Sequence, residues 1–224
     1  MHIQIYTMQT PEEAQAVADL GVDHVGFAAS DVGFDLPGEI DIPTAQAIVA
    51  AVKGRAKSVA ISVDNDLAAI QAMVEAVQPD ILHLCGLEGD VLPEAVEQLR
   101  TRLPGMPIMQ AISVGDAKAI DLALAYEPVS DYLILDTQAP DIGGIGASGA
   151  THDWGISAEI VRRLQIPVIL AGGLSPENVA ESVAKVKPWG VDSLTHTNQN
   201  LPDGAFRKDL ERVKQFVKNA LGAV

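Results

Sequence analysis

The chain has 224 residues, 48% of them hydrophobic but only 4% aromatic, and carries a formal net charge of −15. That length supports one large core of Ala, Val, Ile and Leu, a composition suited to parallel strands covered by helices. The acidic balance argues against nucleic acid or an anionic membrane surface as partner, since both need basic patches. The single cysteine, Cys85, excludes an internal disulfide and fits a reducing compartment. Met1-His2 leads straight into an apolar strand, and no apolar run approaches the ~20 residues of a membrane span. The expectation is a soluble cytoplasmic protein with no signal peptide.

Ile3 to Tyr6 alternates at period two, and Thr10-Pro11-Glu12-Glu13 reads as an N-cap, a first-turn proline and first-turn acids of a helix ending near Gly21. His24 to Ala28 is a second strand. Ser30 to Ile42 is loop, and a helix runs from Pro43 to about Lys53. Ser58 to Val63 is a third strand, after which Asp64-Asn65-Asp66 caps a helix. Strand four is Asp80 to Gly86, with its helix from Pro93 to Arg102. Strand five is Pro107 to Ile112, with a helix from Asp116 to Ala125. Asp131 to Asp136 is strand six, and its helix runs from about Trp154 to Leu164. Pro167 to Ala171 is strand seven, and Ser175-Pro176-Glu177-Asn178 caps the next helix. Val191 to Leu194 is strand eight, and the last helix is expected over Phe206 to Ala220.

Eight strand–helix units without a charged linker predict one parallel (β/α)8 TIM barrel over residues 1–224. An open doubly wound sheet is the rival. It would place glycines in the first strand–helix turn, yet Tyr6-Thr7-Met8-Gln9-Thr10 has none. The stretch from Tyr132 to Trp154 organises the rest. An apolar strand delivers Asp136 beneath a long glycine-rich loop, where parallel α/β proteins place catalytic groups. An apolar strand below, a Gly-rich lid around Gly144 above and no nearby cation predict a raised pKa for Asp136.

The chain resembles phosphoribosylanthranilate isomerase, the tryptophan-pathway barrel that performs an Amadori rearrangement, over nearly its whole length. The likeness is carried by Leu135-Asp136-Thr137, Gly143-Gly144 with Gly146, Asp153-Trp154, Leu170-Ala171-Gly172-Gly173-Leu174, Pro176-Glu177-Asn178-Val179 and Val191-Asp192. The resemblance implies that Asp136 is the general acid on the sugar ring oxygen. It also implies a phosphate-binding end, where Gly172 and Gly173 offer amides at a helix N-terminus. The family's Ser/Gly nest after strand eight reads Leu194-Thr195-His196-Thr197-Asn198 here, so Thr195 and His196 are the candidates at that end. No cofactor is implied; the expected partner is a small-molecule substrate.

Several positions depart from the family's pattern. Its basic cysteine at the end of strand one reads Tyr6, and the next glycine reads Thr7. Its arginine after strand two has no counterpart, because Ala28 to Pro43 contains no Lys or Arg but does contain Asp31, Asp35, Glu39 and Asp41. Its strand-four histidine reads Cys85, and its strand-five lysine reads Gln110. The first basic side chains of the strand–helix loops are Arg207 and Lys208, expected at the start of the last helix. A phenol with an unperturbed pKa of ~10 is a poor base near neutrality.

His83 and Cys85 share a face of strand four, read with Tyr6, Gln110 and Asp136 as the barrel interior. His83 is therefore a candidate base, with Tyr6 the other; in a purely structural role His83 would hydrogen-bond Gln110. These departures predict a barrel enzyme that moves protons on a small sugar-like or phosphorylated metabolite without being a competent phosphoribosylanthranilate isomerase. A metal-dependent barrel is the first alternative, with ligands from His83, Asp136, His152 and His196. A non-catalytic metabolite-binding barrel is the second. Oligomeric state is not readable from the sequence.

Overall fold

A computed structural model describes residues 1–30, 36–86, 91–137, 151–202 and 204–223. Eight parallel strands close into a barrel in sequence order, β1 (His2–Ile5), β2 (His24–Ala28), β3 (Lys57–Ser62), β4 (Ile81–Leu84), β5 (Ile108–Ser113), β6 (Tyr132–Asp136), β7 (Val168–Leu170) and β8 (Gly190–Ser193). Closure is made by β1 on β8, with Gln4 opposite Asp192 and Ile5 opposite Ser193. The helices are α1 (Pro11–Ala18), α2 (Ile42–Val52), α3 (Leu67–Val77), α4 (Pro93–Arg102), α5 (Lys118–Tyr126), α6 (Trp154–Arg163), α7 (Val179–Val186) and α8 (Leu210–Leu221). No described helix is long and apolar enough to cross a membrane.

Local chemistry sets the helix starts. Thr10 accepts from the Glu13 amide, Asp41 from Thr44, Asp66 from Ala68, and Asp153 from Gly155. Alternation along the strands then sorts two cores. Ile3, Ile5, Ile108, Ile112, Leu133 and Leu135 pack outward against the helices, whereas Tyr6, Val59, Ile81, Met109, Ile134 and Ile169 fill the barrel interior. Trp189 sits at the N-terminal end of the barrel, stacked on His2 with ring centroids 3.7 Å apart.

The last unit differs from the expected helix over Phe206 to Ala220. Phe206–Lys208 is a strand, β10, antiparallel to β9 (Asn198–Asn200), and α8 begins only at Leu210 behind an Asp209 cap. The Phe206 carbonyl accepts from Gln9 Nε2 at 2.7 Å, and Glu13 accepts the Lys208 amide at 2.6 Å. Those contacts to α1 and the loop before it compete with helix formation. They lay the hairpin across the end of β1.

Candidate active site

The inward alternation brings together the residues at the carboxyl ends of the strands. Tyr6 leaves β1, Cys85 follows β4, Asp136 ends β6 and Asp192 lies on β8. Gln110 does not join them. On β5 its neighbours Met109 and Ala111 belong to the interior, so Gln110 shares the outer face with Ile108 and Ile112. There its Nε2 donates to the Ala111 carbonyl at 2.9 Å. The interior placement expected for it is thus corrected by the strand's own period.

Asp136 is half-buried and accepts the Thr137 amide at 2.6 Å. It lines a niche of about 20 Å³ with Gly172, Gly173, Asp192, Thr195 and His196, room for one water-sized group. Burial pushes the Asp136 carboxyl up to about 7, against the lowering effect of the Thr137 amide. Asp192 is only 7% exposed, and its Oδ1 has no hydrogen-bond partner among the described residues. Burial first, and then the charge of Asp136, raise its carboxyl to about 8, while Gln4 and Lys208 oppose the shift. Val191 packs outward, so strand alternation turns Asp192 inward, a position that the sequence signals only through period two.

Tyr6 and His83 form a second buried group. The Tyr6 hydroxyl and His83 Nδ1 are 2.9 Å apart, which replaces the Gln110 partner expected for His83. Burial pulls His83 down to about 3 and drives the Tyr6 phenol well above its ordinary value. The pair is therefore neutral, one hydrogen bond joining the phenol and the imidazole. His83 Nε2 has no partner among the described residues. Cys85 is buried beside Tyr6 in the interior apolar cluster.

On the opposite wall, Gly172 and Gly173 adopt φ of +81° and +61°, a left-handed conformation that glycine accepts without strain. A Cβ on Gly172 would lie 2.7 Å from Thr137 Oγ1 and 2.8 Å from His152 Nδ1. The two amides stand on a turn rather than at a helix N-terminus, because α7 begins only at Val179. Asn178 holds that turn, accepting from the Ser175 amide at 2.8 Å and donating to the Gly173 carbonyl at 3.0 Å. Thr195 and His196 sit on a short 3-10 turn whose His196 carbonyl accepts from Arg212 Nε at 2.6 Å.

His152 is engaged by Thr137 Oγ1 at 3.2 Å and Ser157 Oγ at 2.7 Å, and burial lowers its pKa to about 4. Among the described residues no three His, Cys, Asp or Glu side chains come together as a metal-binding group. The glycine-rich loop, with Gly143, Gly144 and Gly146, lies outside the described residues.

Lys208 is the group that reading the last segment as helix concealed. It is 5% exposed, and its Nζ donates to the Tyr6 carbonyl, to Leu194 O at 3.2 Å and to Asn198 Oδ1 at 2.5 Å. Burial pulls it down to about 7, while Glu13 and Asp192 favour the charged form. The strand period of Phe206 to Lys208, apolar, charged and buried, was the signal available for it.

Comparison with known proteins accords with this architecture. The family model for N-(5'-phosphoribosyl)anthranilate (PRA) isomerase matches residues 3–219. The isomerase of that name from Methanocella arvoryzae is 32% identical over 216 residues, covering 96% of each chain. The one from Haloferax volcanii is 36% identical over 213 residues, covering 93% of this chain and 89% of its own. The crystal structure of phosphoribosyl anthranilate isomerase from Thermotoga maritima superposes with a TM-score of 0.79 at 26% identity, covering 99% of both chains. With the closed barrel, the strand-six aspartate and a match over almost its whole length, the chain belongs to the N-(5'-phosphoribosyl)anthranilate isomerase family.

Proposed function

We propose that this barrel is a divergent, isomerase-like member of its family that moves protons on a small phosphorylated, sugar-like metabolite, with Asp136 as general acid. The observation that carries the reading is the Asp136 carboxyl at the end of β6, in one niche with Gly172, Gly173, Thr195 and His196, where burial pushes it up to about 7. Gly172 and Gly173 support a phosphate end beside it. Both line the niche with Thr195 and His196. In this reading residues 1–224 form one domain that works in the cytoplasm without cofactor, metal, nucleic acid or membrane partner.

The same reading excludes phosphoribosylanthranilate as an efficient substrate. The family's cysteine is replaced by Tyr6, whose phenol is engaged with His83 and held protonated. The segment from Ala28 to Pro43 offers four acids and no Lys or Arg to an aromatic carboxylate. Purified protein is expected to show no useful turnover of phosphoribosylanthranilate and no rescue of a tryptophan auxotroph at ordinary expression. A thermal-shift screen of phosphorylated sugars and glycosylamines should instead yield a stabilising ligand whose effect weakens in Asp136→Asn. A kcat on phosphoribosylanthranilate typical of enzymes, on the order of 10 s⁻¹, would overturn this reading.

A further inference from the structure

The acid–base reading needs a second proton-transfer group beside Asp136. Tyr6 and His83 are bonded to each other inside the barrel, and neither lines the niche that holds Asp136. Asp192 does line it, from β8, two strands along the barrel wall. We propose that Asp192 is the base that works against Asp136, the two carboxyl groups of the niche sharing a single proton. The inference rests on the proposed function and names the residue missing from it.

Three features of the site support the assignment. A buried carboxylate oxygen without a hydrogen-bond partner is costly unless it has another use, and Asp192 Oδ1 is one. Two carboxylates facing one water-sized space cannot both ionise without strong mutual repulsion, so the pair retains a proton where an isolated Asp would have lost it. The groups around Asp192 fix the count. Gln4 of β1 and Tyr6 are neutral, Asp136 is the like charge, and Lys208 of β10 is the nearby cation. One proton on the carboxyl pair leaves it a single negative charge beside Lys208, which has three acceptors for its three N–H groups and Glu13 as its other charged neighbour.

In the form of the pair that carries its one proton on Asp136, the cycle on an aldosylamine 5-phosphate balances. Asp136 gives its proton to the ring oxygen as the C1–O bond breaks with its electron pair going to oxygen. The nitrogen lone pair forms a C1=N iminium. Asp192 carboxylate takes the proton from C2, the C–H pair becomes C1=C2, and the C=N pair returns to nitrogen. The enolamine next takes the proton from Asp192 on C1, and its C2 hydroxyl returns a proton to Asp136. A ketose amine leaves, both carboxyls are as they began, and no oxidant or reductant is needed.

The test has two arms. In ¹³C-aspartate NMR titrations of the full chain, Asp136→Asn should lower the Asp192 midpoint by at least one pH unit, and Asp192→Asn should do the same to Asp136. Independent midpoints would overturn the shared proton. In the second arm, exchange of the C1 hydrogens of 1-amino-1-deoxyribulose 5-phosphate in D₂O is followed by ¹H NMR. Asp192→Asn, with its fold checked by thermal melting, should slow exchange about 100-fold or more, and Asp192→Glu should restore part of it. Exchange that survives Asp192→Asn, or that is lost instead in His83→Gln, overturns the assignment alone. No exchange by the unaltered protein overturns the acid–base function, and the assignment with it.

Discussion

The Tyr6 hydroxyl and His83 Nδ1 lie 2.9 Å apart in the buried interior of the barrel, each serving as the other's hydrogen-bond partner. The ring of Tyr6 occupies space that only a glycine on β2 leaves open, since a Cβ on Gly26 would come within 2.0 Å of it. Tyr6 is thus packed into the core, with its hydroxyl engaged by His83.

Removing that hydroxyl should therefore cost stability more than catalysis. Tyr6→Phe leaves His83 with neither ring nitrogen partnered among the described residues. The expected loss is about 1–3 kcal/mol in urea denaturation, the usual penalty for an unmet buried polar group. A variant as stable as the parent would mean that the pair contributes nothing to the barrel.

Gly172 should tolerate substitution poorly for two separate reasons. Its φ of +81° disfavours any side chain, and a Cβ would meet Thr137 Oγ1 and His152 Nδ1. Gly172→Ala is expected to destabilise by roughly 1–3 kcal/mol and to disturb the His152 hydrogen bonds, visible as shifted imidazole resonances. An unchanged melting temperature and unchanged His152 signals would show that the turn relaxes freely.

The barrel was legible in the sequence because its signals agree at several levels. Thr10, Asp41, Asp66 and Asp153 cap helices as their residue types suggest, and Pro93 opens α4. The hairpin of β9 and β10 was not legible, since Phe206 to Lys208 abuts a strongly amphipathic helix and its strand character depends on Gln9 and Glu13, far away in sequence. Gln110 was misassigned by aligning it to a motif when the period of β5 already put it outside. The position of Asp136 at a strand end was legible because an apolar run closing on an acid is a local pattern. Asp192 and Lys208 draw their meaning from burial and from each other, which no single stretch of sequence displays.

Stability against pH offers a check that needs no substrate. The Asp136 carboxyl is raised in the folded state, so between its unfolded value of ~3.9 and about 7 the native protein binds the extra proton. Its contribution therefore falls as pH rises through that window. Asp136→Asn removes the titration, and its stability relative to the parent should grow from pH 4 to pH 8. A gain on the order of 1–2 kcal/mol is expected, discounted for the solvent contact of the half-buried side chain. A difference independent of pH would place the proton elsewhere.

The account turns on whether Asp136 holds a proton near neutrality, and its carboxyl carbon can report that directly. A ¹³C NMR titration of the full chain, with the Asp136 resonance assigned through Asp136→Asn, should show a midpoint near 7, well above an ordinary aspartate. A midpoint at or below about 4 would leave Asp136 ionised under working conditions, and the site would then lack its acid.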